Sequence, residues 1–84
     1  MILTHFDLFN TTQLIYHADD DSNILLCTCN LDNLKDALID FAKCYDNEDI
    51  HLYGNQDYAE GLKEQIENSL KTNYANTDIK IYIN

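Results

Sequence analysis

The chain has 84 residues, enough for one domain covering positions 1–84. It carries 15 Asp and Glu against 5 Lys, with no Arg, Pro or Trp, which gives a formal net charge of −10. Because this charge repels phosphate, we expect no direct binding to nucleic acid and no attachment to an anionic membrane.

Three strands are predicted in the first third of the chain, at residues 2–9, 13–18 and 24–29. Apolar side chains lie on both faces of the first strand, which is typical of a central strand. Polar residues at 10–12 and 19–23 separate the three segments and indicate turns. The three strands are therefore predicted to form an antiparallel meander.

A first helix is predicted to begin at Asn30, a good N-cap residue, and to end at the acidic run 46–49. Asp32 lies in its first turn, where the helix dipole favours a carboxylate. Leucines recur along this segment at helical spacing and predict one buried face. Residues 50–54 follow as a fourth strand.

A second helix is predicted to begin at an N-cap, Asp57, with Glu60 three residues later at the spacing of a capping box. Gly61 lies inside this helix, where a small residue would allow close packing on the sheet. Residues 78–84 alternate in hydropathy and predict an edge strand with Tyr82 on its exposed side. The apolar stripe of the second helix consists of Tyr58, Leu62, Ile66, Leu70 and Tyr74.

The resulting element order is βββαβαβ, which predicts an α/β chain of the α+β type with a five-stranded mixed sheet and two helices. Helices connect the third strand to the fourth and the fourth to the fifth, so we expect the last two strands to be parallel. This order of elements resembles the ribonuclease H-like fold over the whole chain. The resemblance implies the strand order 3-2-1-4-5, with the first strand at the centre.

The same resemblance implies divalent metal ions held by carboxylates on the first strand, on the first helix and at the end of the fourth strand. Asp7 lies on the first strand, where one carboxylate is implied. At the end of the fourth strand the chain has Tyr53, Gly54 and Asn55, and the carboxylate of Asp57 follows later as a helix cap. We therefore expect the catalytic site of that family to be absent, and no cofactor or metal to be bound.

Five other side chains are candidate metal ligands: Cys27 and Cys29, together with His5, His17 or Cys44. Structural zinc sites usually combine two closely spaced cysteine or histidine pairs, and here a second pair is missing. We expect buried free thiols and packed or hydrogen-bonded strand histidines instead. Reduced thiols, the lack of a secretory signal in the first ten residues and the lack of a long apolar run predict a cytoplasmic protein.

Acidic side chains recur at helical spacing in both predicted helices. They form two rows: Asp32, Asp36 and Asp40 on the first helix, and Glu60, Glu64 and Glu67 on the second. Each step of four residues is about 6 Å along the helix axis, close to the spacing of phosphates. The rows are therefore either ordinary solvated helix faces or a surface that mimics DNA.

Three functions remain open at this point. We expect a small, acidic, non-catalytic protein that binds another protein through the acidic rows, Tyr53, Tyr82 or the edge strand, or that pairs with a second copy as a homodimer. The first alternative is a DNA-mimic inhibitor of a nucleic-acid-binding protein, and the second is a divalent-metal-dependent hydrolase or nuclease built around Asp7 and Asp57. The abundance of residues with AT-rich codons is typical of low-GC bacteria and their phages, and indicates an accessory protein of a phage or mobile element.

Overall fold

The computed structural model describes residues 1–6, 11–73 and 78–84. The elements in chain order are β1 (Ile2–His5), β2 (Thr11–His17), β3 (Asn23–Asn30), a 3₁₀ turn (Leu31–Asn33), α1 (Leu34–Cys44), β4 (Ile50–Tyr53), α2 (Gln56–Asn73) and β5 (Ile81–Ile83). Among these residues, no helix has the length and hydropathy that crossing a bilayer requires.

The five strands form one mixed sheet in the order β3-β2-β1-β4-β5. β1 pairs antiparallel with β2, and β2 pairs antiparallel with β3, as expected for the predicted meander. β1 also pairs parallel with β4, which in turn pairs parallel with β5. The predicted element order, the central position of β1 and the parallel last strands are confirmed, and the chain is an α+β protein with two helices.

The bounds of the first and last strands differ from the prediction. The first strand was predicted over 2–9 but ends at His5, and residues 7–10 lie outside the part of the chain that the structure describes. The last strand was predicted over 78–84 but spans only Ile81–Ile83, because its single partner, β4, is itself four residues long.

The hairpin between β2 and β3 is longer than predicted. Ladder pairing extends to His17 and Asn23 because the turn between them is tight. Asp20 Oδ1 accepts hydrogen bonds from the Ser22 backbone N–H at 3.0 Å and from the Ser22 hydroxyl at 2.6 Å. Asp21 adopts a left-handed φ of 65°, which Asp tolerates better than most residues. The acidic segment predicted as a turn is therefore a turn.

One face of the sheet is covered by both helices. The buried side chains of α1 and α2 belong to the same apolar cluster as those of β1, β2, β4 and β5, which stand next to one another in register. We call this the closed face. Its core consists of Ile2, Phe6, Leu14, Leu34, Leu38, Ile39, Ala42, Ile50, Leu52, Ala59, Leu62, Ile66, Leu70 and Ile81.

Both helix starts differ from the prediction. Asn30 does not cap α1, because its side chain accepts a hydrogen bond from Asn33 Nδ2 at 2.8 Å and a 3₁₀ turn precedes the helix. The cap of α2 is Asn55, whose Oδ1 accepts the Tyr58 N–H at 2.9 Å, and Asp57 lies inside the first turn. Gly61 is exposed, and a Cβ there would meet nothing within 4 Å, so the predicted close packing on the sheet is wrong.

Candidate functional site

The face of the sheet opposite the helices carries a continuous surface of strand side chains. Residues that pair across neighbouring strands share a face, so register identifies the set directly. None of these side chains is buried, and neither described helix packs on them. We call this surface the open face; it consists of Leu3, His5, Thr11, Gln13, Ile15, His17, Asn23, Leu25, Thr28, Asn30, His51, Tyr53 and Tyr82.

A row across the middle of the open face contains one side chain from every strand. It runs from Leu25 on β3 through Ile15, Leu3 and His51 to Tyr82 on β5. Leu25 is 56% exposed and Tyr82 is 43% exposed. The two ends of the row are thus large apolar or aromatic groups in contact with solvent, and register joins them into one continuous row.

Two stacks of histidine on tyrosine cover the β1–β4–β5 side of the open face. The rings of His5 and Tyr53 lie 4.5 Å apart at an interplanar angle of 13°. Those of His51 and Tyr82 lie 4.8 Å apart at 23°. Burial lowers the pKa of the His51 imidazole from 6.5, against the opposing effect of the Asp49 carboxylate. The neutral form of His51 is therefore favoured, and both stacks present flat rings to the open face.

The third histidine lies at the other side of the same face. His17 Nδ1 is 2.7 Å from Asn23 Oδ1, and its Nε2 is 3.5 Å from the carboxylate of Asp21. All three histidines of the chain therefore lie on the open face, each stacked or hydrogen-bonded as expected for strand histidines. None of them stands beside a cysteine pair.

Charge is excluded from the strands. Every Asp, Glu and Lys that the structure describes lies in a helix, turn or connection, and none lies within β1 to β5. Charged residues begin at the rim of the open face, where Asp49 directly precedes β4 and Lys80 directly precedes β5. Although the chain has a net charge of −10, the strands that form the open face contain no Asp, Glu or Lys.

Carboxylates collect instead at one end of the sheet. The β2–β3 turn, with Asp19, Asp20 and Asp21, and the α1–β4 connection both lie beside the amino end of β1, because β2 is antiparallel and β4 is parallel to it. The N-terminal amine lies 3.2 Å from Glu48 and donates to the His17 carbonyl at 3.0 Å. These contacts tie the first residue into the fold.

The predicted partner-binding residues fall on two different surfaces. All six carboxylates of the helix rows are exposed on the helix layer: Asp32, Asp36, Asp40, Glu60, Glu64 and Glu67. Tyr82 lies on the open face, across the sheet from them. Lysines also interrupt the rows, since Lys35 is 3.9 Å from Asp36 and Lys63 is 4.0 Å from Glu67. One partner surface does not include both sets.

The end of the sheet where the resemblance implies metal ligands has a different composition. Asp7 lies outside the described residues, and Asp57 is exposed in the first turn of α2. Gly54 has a φ of 144°, and a Cβ there would overlap the Phe6 carbonyl oxygen. A carboxylate side chain at position 54 would therefore clash with the backbone. Within residues 1–6, 11–73 and 78–84, no three His, Cys, Asp or Glu side chains are grouped to hold a metal ion.

The paired cysteines lie on the closed face. Cys27 and Cys29 are partly buried and pair across the ladder with Leu14 and Thr12, whereas Cys44 is exposed. Burial, and secondarily the neighbouring Cys27, raises the pKa of the Cys29 thiol above 9.0. A protonated thiol is a poor nucleophile and a poor metal ligand. Both cysteines pack against the apolar cluster of the closed face.

The open face as a surface was not predicted from the sequence. Two signals in the sequence indicate it in retrospect: the strands contain no charged residue, and all three histidines alternate with core positions. The chain matches no protein-family model, no curated protein and no solved structure.

Proposed function

We propose that this chain is a non-catalytic interaction protein whose contact surface for another protein is the open face. The observation that carries the proposal is the exposure of an uncharged row of aliphatic and aromatic side chains across all five strands, on a chain of net charge −10. An ordinary solvated sheet face would carry charged and polar side chains instead.

The composition of the open face matches what protein interfaces contain. Tyrosine is enriched in interface centres, whereas Lys, Glu and Asp are depleted there and belong to the rim. The stacked rings of Tyr53 and Tyr82 are rigid, so ordering them on binding costs little conformational entropy. The net charge of −10 outside the open face disfavours nucleic acid as its partner.

The test compares the two candidate surfaces in one partner-binding assay. A Tyr82→Lys variant places a charge on the open face, and an Asp32→Asn/Asp36→Asn/Asp40→Asn variant neutralises one helix row. Proteins retained from a host lysate by the immobilised wild-type chain are purified, and their affinity for each variant is measured by calorimetry. We expect Tyr82→Lys to weaken binding about tenfold or more and the row variant to leave it nearly unchanged.

The opposite pattern supports a second function. Loss of binding in the row variant, with a steep decrease of affinity at higher salt, would indicate a DNA-mimic inhibitor of a nucleic-acid-binding protein. Full exposure of the six row carboxylates supports this alternative. The lysines that pair with Asp36 and Glu67 partly neutralise the negative charge of the rows, and this makes the DNA-mimic function the weaker proposal.

A divalent-metal hydrolase is the remaining alternative and is tied to a ribonuclease H-like topology. The strand order β3-β2-β1-β4-β5 supports that topology, and Asp7 and Asp57 are its candidate ligands. The steric requirement for glycine at position 54 counts against the catalytic set, since it removes one carboxylate position. Cleavage of a nucleic acid with Mg²⁺ or Mn²⁺ that disappears in Asp7→Asn would establish it.

A further inference from the structure

We infer that the open face binds a second copy of this chain, so that two sheets pack face to face in a two-fold symmetric dimer. The inference rests on the proposed function, because it takes the open face as a contact surface and names its occupant. In such a dimer the two helix layers, with their carboxylate rows, lie on the outside of a four-layer particle.

Charge selects the second copy as the occupant. A two-fold contact places the same surface against itself, so any charge on it meets a like charge. Two chains of net charge −10 repel each other through the helix rows and through the acidic end of the sheet. Among the described residues, no Asp, Glu or Lys lies within the five strands, so the open face meets its own copy with less repulsion than the helix rows or the acidic end of the sheet would.

The shape of the open face fits this contact. Face-to-face packing of sheets needs two flat layers about 10 Å apart, with interdigitating aliphatic and aromatic side chains. Leu25, Ile15 and Leu3 supply the aliphatic half of the central row, the His51–Tyr82 stack supplies its aromatic half, and the His5–Tyr53 stack lies beside it. The charged residues at the rim, Asp49 and Lys80, lie where interfaces carry polar groups.

The area of the contact predicts a weak dimer. With strands about 4.8 Å apart and a rise of about 3.3 Å per residue, the five strands give each face a projected area on the order of 400 Å². Two such faces bury roughly 800 Å² in projection, which is at the lower end for specific association. We therefore expect a dissociation constant of roughly 10 to 100 µM.

The test is sedimentation equilibrium of the whole chain with two matched variants in the same strand. Leu25 is 56% exposed on the open face, and its neighbour Ile24 is 49% exposed on the other side of β3, opposite Tyr16. We expect the wild type to form dimers with increasing concentration, Leu25→Glu to stay monomeric, and Ile24→Glu to dimerise like the wild type. Circular dichroism confirms that both variants keep the fold.

Salt dependence provides a second readout. Because the two chains repel each other outside the contact, raising NaCl from about 20 to about 500 mM should tighten the dimer several-fold, whereas a complex of opposite charges would weaken. Dimerisation that becomes weaker at high salt would overturn the inference.

Three other outcomes also overturn it. A wild-type chain that stays monomeric at all concentrations has no second copy as occupant. A dimer that survives Leu25→Glu uses another surface, and a dimer lost in Ile24→Glu uses the helix side or the β3 edge.

If a monomeric wild type still binds a purified host protein through Tyr82, the dimer fails and the proposed function stands. If a labelled single-stranded oligonucleotide binds and Leu25→Glu abolishes that binding, both fail.

Discussion

The residues of two neighbouring rows show how the same strands build two unlike faces. On the closed face, Ile2, Ile50 and Ile81 stand next to one another across β1, β4 and β5 and are at most 7% exposed. One residue further along each strand, Leu3, His51 and Tyr82 form the equivalent row of the open face, in which no side chain is buried. The closed row is purely aliphatic and the open row mixes aliphatic with aromatic rings.

The difference between the two rows gives the closed face a role in folding and the open face a role in binding. Aliphatic groups in the closed row are covered by helices within the same chain, so their burial stabilises the monomer. No described residue packs on the side chains of the open row, so they can become buried only when the chain associates with a partner. Each face can then be changed by mutation without directly changing the other, and this separation is what the following variants test.

The largest difference is expected between two leucines truncated on opposite faces. Leu52 on β4 is fully buried, so Leu52→Ala should lower the free energy of unfolding by about 2 to 5 kcal/mol through lost burial and a residual cavity. Leu25→Ala on the open face should change it by about 0.5 kcal/mol or less. Urea unfolding followed by circular dichroism, at a concentration that keeps the chain monomeric, measures both. Equal losses would show that the open face is covered within the chain.

A polar pair inside the closed face gives the next largest effect. Thr4 and Thr12 are buried, their hydroxyl oxygens lie 2.9 Å apart, and they donate to the backbone carbonyls of Gln13 and His5 at 2.9 and 2.7 Å. Only two protons serve these three contacts, so the hydroxyls depend on each other.

Each single substitution, Thr4→Val or Thr12→Val, should therefore cost about 1 to 2 kcal/mol, because it leaves its partner with fewer contacts in a dry environment. The double variant should cost less than the sum of the two, since both polar groups are then gone. A double-mutant cycle by urea unfolding measures the coupling. Strictly additive losses would contradict the pairing.

The outer surface of the helix layer should respond in the opposite direction. Gly61 is exposed in the middle of α2, and a Cβ there meets no atom within 4 Å. Gly61→Ala should therefore raise the free energy of unfolding by about 0.5 to 1 kcal/mol through helix propensity alone. Thermal unfolding of the two chains checks it, and a loss of stability would mean that this side of α2 packs against another element.

The sequence predicted the closed face better than the open one. Periodic apolar residues in both helices and the alternating strands identified the core stripe of Leu62, Ile66 and Leu70, because a buried stripe must repeat at the period of its element. Leu3 and Ile15 could not be placed in the same way. An apolar residue on the second face of a strand predicts a central strand equally well whether that face is covered by the chain or left open.

Local backbone geometry accounts for the other errors. Asn55 and Asp57 are both good helix caps two residues apart, and the left-handed φ of Gly54 decides between them by turning the chain before Asn55. The strand bulge behaves similarly: the register shifts between Leu14 and Ile15, and leaves Leu26 packed against the core. Neither choice follows from the residue types alone, since each depends on the local backbone geometry.

The smallest expected effect concerns the pH dependence of the free energy of unfolding. We expect the open face to affect it at low pH and the closed face to affect it at high pH. On the open face, burial lowers the pKa of His51 below 6.5, so the native state binds protons less readily than the unfolded chain. His51 thus contributes stability above pH 6.5 that is lost as the pH falls through its folded pKa.

On the closed face, burial, with Glu48 beside it, raises the pKa of Tyr16 above 10.0, and burial raises that of Tyr58. Their contribution is present below pH 10.0 and is lost as the pH rises through the raised values.

Two variants test which residue causes each loss of stability, the one at low pH (the acid limb) and the one at high pH (the alkaline limb). His51→Gln should flatten the fall in unfolding free energy between pH 6.5 and about 5, above the range in which carboxylates dominate. It should leave the alkaline limb unchanged. Tyr16→Phe should reduce the loss above pH 10 and leave the acid side unchanged, because the phenol that donates to Glu48 at 3.2 Å is removed. Urea unfolding at matched pH values measures both, and an alkaline limb that changes in His51→Gln would show that the two faces are coupled through the sheet.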